Sequence, residues 1–287
     1  MHFSVHHQTT YRYLSEVELL PHKLILFPRG SYELTTISKS LIILPEASLN
    51  WSQDVFGNLI VTASFAEKTR ELVITSDLLV EQIASAWPIF SIATRAHSFP
   101  FSYVADEVTD LGELMKPSGW DTTVTEWVEA FIRSSPTDTL SLLKDVNAGI
   151  LDTVAYRVRD EEGTQSAAET LDLRSGSCRD IAMLFIEGVR HLGFGARAVS
   201  GYLADATLAA DDPGSTHAWA EVYLPGAGWI AFDPTHKSVG SSHLIPVATA
   251  RQNQQIMPIS GAYLGAHDAF AGMDVTVTVA PVSGAGA

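Results

Sequence analysis

The chain has 287 residues, 46% hydrophobic and 18% charged, which is enough apolar material for a packed core and too much for wholesale disorder. Its 33 acidic and 18 basic side chains give a net charge of −15, which argues against nucleic acid as a partner, because phosphate binding needs clustered Lys and Arg. Apolar runs stop short of the roughly 18 residues that mark a membrane span, and the single cysteine, Cys178, excludes an internal disulfide framework or a cysteine-rich zinc site. The opening MHFSVHHQTTYRY lacks the basic start and apolar core of a secretory signal, so a soluble cytoplasmic protein is expected.

The first hundred residues read as β structure. From His2 to Tyr13, Phe3, Val5, His7, Thr9, Tyr11 and Tyr13 share one face, the period of two of a half-buried strand. Further strand candidates are Leu19–Phe27, Tyr32–Ile37, Leu41–Leu44, Val55–Phe65 and Glu71–Val80, with Gly57-Asn58 as a turn pair. Short strands with frequent turn signals predict a β-sandwich. Residues 1–105 carry 7 basic and 9 acidic side chains, a net of −2, whereas residues 106–287 carry 11 and 24, a net of −13. That shift, with Pro100, predicts a boundary near Phe99–Asp110. The expected organisation is a β-rich domain over 1–105, an α+β core over 106–250, and a C-terminal loop, edge strand and frayed tail over 251–287.

Helices follow. Val124, Trp127, Val128 and Phe131 fall at helical spacing within Thr123–Arg133. Ser135-Pro136 predicts the start of another helix, whose apolar stripe runs through Leu140, Leu143, Val146, Ile150, Leu151 and Val154. Thr153–Val158 is expected to be extended, and Arg159–Thr170 a polar loop. The best-defined helix carries Ile181, Leu184, Phe185, Val189 and Leu192 on one face, with Ser175-Gly176-Ser177 before it and Gly193 after it. The strands Ala196–Leu203, His217–Leu224 and Trp229–Phe232 come next, the last two joined tightly by Pro225-Gly226-Ala227-Gly228. Ala271–Ala280 alternates again and reads as an edge strand on either domain.

Cys178 opens the long helix. Unsatisfied N–H groups at a helix N-terminus stabilise a thiolate, the form a nucleophile needs. A lone cysteine is more often a buried inert thiol, but such a residue belongs on the apolar helix face, and Cys178 sits at the end. His217 starts one strand of the hairpin and Asp233 ends the other, which makes them neighbours. Read singly, each has a plain explanation: a strand-end surface residue and a turn former before Pro234. Together, the carboxylate can orient an imidazole that takes the thiol proton and later protonates a leaving group.

These residues carry a resemblance. Gly176-Ser177-Cys178-Arg179-Asp180, His217-Ala218-Trp219 and Asp233-Pro234-Thr235 occur in order, and the stretch resembles the transglutaminase-like superfamily of bacterial papain-type enzymes. TTYRY, LFPRG and DVFGN resemble the β-rich N-terminal domain that accompanies this core in bacteria. The resemblance implies an α+β papain-like core, with N-terminal helices and a nucleophile helix packed on an antiparallel sheet, behind a β-sandwich-like domain. It implies Cys178 as nucleophile, His217 as base and acid, Asp233 as orienting carboxylate, and a thioester acyl-enzyme formed from a peptide or protein amide. Transfer to an amine or to water would complete the reaction. No calcium-loop pattern is present and no cofactor is expected.

Other candidates are weaker. The backbone N–H of Cys178 is one expected oxyanion donor, and Tyr156 is a candidate second donor that reads equally as a half-buried strand tyrosine. Trp219 and Trp229 are candidate groove walls, though aromatic packing explains both. Asp180 is expected to bond loop amides, and Arg179 to face substrate or solvent. Asp205, Asp211 and Asp212 suit a solvated loop. His2 and His6 share a strand face while His7 points away, with no carboxylate or Cys near in sequence, so they make a poor metal site, and a zinc site of Cys178, His217 and His236 is a minor alternative. Met257–Gly272 is a candidate lining of the site. The expected function is a cysteine peptidase or amidase, with hydrolysis favoured over transamidation. Two rivals are a non-catalytic peptide-binding module and an acyltransferase acting on a soluble thioester.

Overall fold

The alternation at the N-terminus becomes one long strand. In the computed structural model, which describes residues 1–86, 88–159, 161, 163–204 and 216–282, β1 spans His2–Leu19. It buries Phe3, Val5, His7 and Thr9 on one face. β2 (His22–Leu24), β3 (Leu34–Leu44), β4 (Ala47–Gln53), β5 (Leu59–Phe65) and β6 (Lys68–Gln82) follow. One sheet pairs β3 with β6 and β6 with β1; the other pairs β4 with β5 and β5 with β2. Leu72, Ile74, Leu78 and Val80 of the first sheet and Leu24, Ile60, Val61 and Ala63 of the second are buried in one core, the layered arrangement of a sandwich.

Some boundaries differ from the sequence reading. The expected strand Leu19–Phe27 is interrupted at Pro21, which has no N–H to give a ladder. Tyr32–Ile37 and Leu41–Leu44 are one strand, whose register shifts between Thr36 and Ser38. Val55–Phe65 shortens to β5, because Asp54–Asn58 is a turn: Asp54 Oδ1 accepts the N–H groups of Phe56 and Asn58, both at 2.9 Å, and Gly57 sits at φ +76°.

The second half opens with α1 (Ala105–Leu111) and α2 (Thr122–Glu129), and β7 (Ser98–Phe99) pairs with β8 (Thr137–Asp138). The next helix, α3 (Thr139–Thr153), is capped by Asp138, whose carboxylate accepts the Ser141 N–H at 2.7 Å, rather than by Ser135 ahead of Pro136. β9 (Ala155–Tyr156), α4 (Ala167–Leu173) and β10 (Ser175–Gly176) lead into α5 (Cys178–His191). α5 packs on an antiparallel sheet of β11 (Ala196–Leu203), β12 (His217–Leu224), β13 (Gly228–Asp233), β14 (Ser238–Val239) and β15 (Leu244–Ala250), in the order β14-β13-β12-β11-β15. Ile181, Leu184, Phe185 and Val189 are fully buried between the helix and its neighbours, and Phe185 stacks on Phe232 at 5.4 Å.

The last segment returns to the first domain. β16 (Ile259–Ser260), β17 (Tyr263–Leu264) and β18 (Phe270–Val282) pair with β2, β1 and β1 respectively. The candidate site lining within Met257–Gly272 thus builds sandwich edges, with Gly261 against the His22 ring and Gly265 against Val17. Among the described residues, buried contacts at three side chains help to join the domains. Asn58 donates to the Thr249 carbonyl at 2.7 Å and accepts the Thr249 N–H at 2.9 Å; Gln82 donates to the Leu244 carbonyl at 2.8 Å; and His7 Nδ1 meets the Tyr202 hydroxyl at 3.0 Å. No helix among the described residues is long and apolar enough to cross a membrane.

Candidate active site

The nucleophile candidate is placed by its own loop. Cys178 is the first residue of α5 and is buried. An N–H in the first helical turn has no intrahelical acceptor, so it points outward with partial positive charge. Asp180, with no exposed surface, gathers the approach to it. Its carboxylate accepts the Ser177 N–H and hydroxyl, both at 2.8 Å, the Gln165 N–H at 2.7 Å and the Arg159 Nε–H at 3.0 Å. Burial alone would raise the Asp180 pKa, but these bonds, led by the two backbone N–H groups, hold it below the usual carboxylate value. A Cβ on Gly176 would stand 2.8 Å from the Asp180 Cβ, so glycine is needed for this close approach. Arg179 turns back on the same loop, donating to the Arg159 and Glu161 carbonyls at 3.1 and 3.4 Å.

The β12–β13 hairpin does what its sequence predicts. The register runs from Ala220↔Phe232 to Leu224↔Gly228, so the start of β12 lies beside the end of β13. His217 Nε2 and Asp233 Oδ2 are 2.8 Å apart, and both residues are buried. An ionised carboxylate only accepts hydrogen bonds, so the His217 proton sits on Nε2 and Nδ1 is left for the thiol. Burial lowers the His217 pKa, but the charge and hydrogen bond of Asp233, followed by those of Cys178, overrule it and raise the pKa to about 10. Burial raises that of Asp233, and the charges and hydrogen bonds of His217 and His236 carry it well below the usual value.

His236 was not among the catalytic candidates. Its Nδ1 meets the same Asp233 Oδ2 at 2.8 Å, and its ring centre is 5.0 Å from that of His217. The remaining oxygen, Oδ1, accepts the Thr235 and His236 N–H groups at 3.1 and 3.4 Å. The three side chains are close enough to suggest a metal, since their donor atoms lie within 4.8 Å of one another. The two 2.8 Å contacts are hydrogen-bond distances, however, and they account for the clustering without an ion. Arg159 was also missed, lying in a stretch whose polarity predicts only a loop.

The other candidates fall in different places. Tyr156 pairs in parallel with Gly176, two residues before Cys178, and is half-buried. Trp219 is not a groove wall. It is 1% exposed, packs with Val199, Ala231 and Leu244, and stacks behind the His217 ring at 5.8 Å. Gly201 leaves room for it, since a Cβ there would stand 2.8 Å from Trp219 Cη2. Trp229 pairs with Tyr223 at the far end of the hairpin, about 13 Å along the strand from Asp233. The Arg197 guanidinium covers its ring at 4.0 Å, and it lines a cavity of about 630 Å³ between the core sheet and the first domain. Position along the strand, which aromatic residue type does not reveal, separates it from the nucleophile. Asp205, Asp211 and Asp212 lie outside the described residues.

Comparison with known proteins agrees with this architecture. Residues 3–81 match the bacterial transglutaminase-like N-terminal region, and residues 125–234 match the transglutaminase-like superfamily. An uncharacterized protein of Mycobacterium tuberculosis is 28% identical over 98% of this chain and 93% of its own length. A second, from Mycobacterium leprae, is 32% identical over 35% of this chain and 36% of its own. The crystal structure of "a Putative Cysteine Protease from Cytophaga hutchinsonii" covers 99% of this chain and 92% of its own, at 22% identity and a TM-score of 0.76, and so shares the fold. The chain belongs to the transglutaminase-like superfamily, with the bacterial transglutaminase-like N-terminal region ahead of its core.

Proposed function

We propose that this protein is a cysteine-dependent enzyme that cleaves peptide, isopeptide or side-chain amide bonds through a thioester, with Cys178, His217 and Asp233 as its catalytic residues. The observation that carries the reading is His217, held by Asp233 through Nε2 and interacting with Cys178 on its other side. The imidazole takes the thiol proton, and the sulfur attacks the amide carbonyl carbon. The Cys178 N–H faces the developing oxyanion, and Tyr156, beside Gly176, is the proposed second donor. The C–N bond breaks as the imidazolium returns its proton to the leaving nitrogen. Water, deprotonated by His217, then attacks the thioester, giving a carboxylic acid and the free thiol.

Hydrolysis is favoured over transamidation because water reaches any thioester, whereas an amine must be gathered to compete with it. The proposed substrate is a peptide or protein.

The test is alkylation of Cys178 by iodoacetamide, followed by intact mass, in which the one thiol gives one signal. Labelling at neutral pH that falls at least tenfold in His217→Ala is expected. Equal rates in the two proteins, or labelling only after unfolding, would refute the mechanism and turn the reading to a binding module. Product masses from a peptide library with and without a primary amine separate the two outcomes. Exclusive amine incorporation would overturn the preference for water.

A further inference from the structure

We infer that His236 is a positioning residue that sets how strongly Asp233 stabilises the His217 imidazolium. This inference rests on the catalytic reading above. Asp233 Oδ2 is shared: His217 Nε2 and His236 Nδ1 both stand 2.8 Å from it. Since the carboxylate has no proton to give, both imidazoles donate, and His236 takes part of the acceptor capacity of the oxygen that faces His217.

His236 has two conceivable effects on His217, opposite in sign, and the geometry decides between them. If His236 merely kept the carboxylate in place, its loss would let Asp233 swing away and weaken the imidazolium. Asp233 is anchored independently, however, because Oδ1 accepts the backbone N–H groups of Thr235 and His236, which any side chain at 236 retains. The carboxylate is also almost wholly buried, and a leucine at 236 keeps it covered, so that water does not replace the lost donor. Removing the imidazole therefore leaves the carboxylate where it is and concentrates its charge on His217. Among the described residues, the titratable groups that act on this pair are Cys178, beside His217, and His236 itself.

His236 thus weakens the hold of Asp233 on the imidazolium, which keeps His217 acidic enough to return its proton to a leaving nitrogen. A general acid works best when its pKa is near the working pH. A carboxylate acting alone on a buried imidazole would pull it further from that range.

The experiment measures the pH dependence of Cys178 alkylation in the full chain, a readout that needs no substrate. His236→Ala and His236→Leu lack a donor, and using both guards against one failing to fold. His236→Asn keeps an N–H in the same place. In the two donor-less variants the acid-side midpoint of labelling is expected to move down by about 0.7 pH unit, equivalent to about 1 kcal/mol, the net worth of one hydrogen bond. His236→Asn should return most of that shift. An unchanged midpoint, an upward shift, or no recovery with Asn would overturn the inference. Labelling in the parent that does not depend on His217 would instead overturn the catalytic reading, so the two failures are distinguishable.

Discussion

Acidification should loosen this protein through one histidine at the domain interface. His7 is 2% exposed, with Nδ1 on the Tyr202 hydroxyl and Nε2 on the Thr9 hydroxyl. Burial, aided by the neighbouring His6, lowers its pKa from 6.5 to about 4. The unfolded chain therefore binds this proton before the folded one does. The stability that neutral His7 permits is intact above about pH 6.5 and is lost as pH falls toward 4. At pH 5 the two pKa values give a loss of about 2 kcal/mol relative to pH 7.5, rising to about 3 kcal/mol below pH 4. The assay is urea unfolding of the parent and His7→Gln at pH 7.5, 6 and 5. Glutamine keeps hydrogen-bonding groups but does not titrate. Other titrations, including that of His22, which is lowered in the same direction, are common to both chains and cancel in the difference. The parent should lose about 2 kcal/mol more than the variant between pH 7.5 and 5. Parallel pH profiles would show that His7 is not buried neutral, and the reasoning would fail.

Two more substitutions test the framework of the site and the join between the domains. Asp180→Ala removes five hydrogen bonds, two of them from Arg159; breaking such a buried pair should cost about 3–5 kcal/mol in urea unfolding and abolish His217-dependent labelling of Cys178. A loss below about 1 kcal/mol would mean that the loop does not rely on it. Asn58→Ala leaves the N–H and C=O of Thr249 without their partners and should cost about 2–4 kcal/mol, measured the same way, with faster limited proteolysis between the domains. Unchanged proteolysis would refute the role of that contact.

The parts of the fold that could be read from sequence were those with a local signal. The apolar face Ile181, Leu184, Phe185 and Val189 marks α5, and the Pro225–Gly228 turn forces His217 toward Asp233. Elements held by non-local partners left no such mark. β4 (ASLNWSQ) is exposed almost throughout and is held by backbone pairing with β5, so no apolar alternation announces it. β15 contains Pro246, which argues against a strand, but Pro246 lies where the register shifts on β11, at the edge of the sheet. His7 and Tyr202 are 195 positions apart, and β18 pairs with β1 across nearly the whole chain. His236 follows Asp-Pro-Thr as an ordinary turn residue would, and only the folded hairpin shows its ring on the Asp233 carboxylate.

The amides of Asn58 and Gln82 have a consequence for dividing the molecule. They engage backbone groups at the two ends of β15, which borders the core sheet, and so act as a sham strand laid along an open border. Cut away from its first domain, the core would present Thr249 and Leu244 as raw hydrogen-bonding groups, ready to recruit another chain. The sandwich fares no better alone, because β18, supplied by the far end of the chain, runs along β1 from His2 to Tyr13. Neither half is a portable cassette. Expression of either by itself should yield aggregates, measured by light scattering against the full chain.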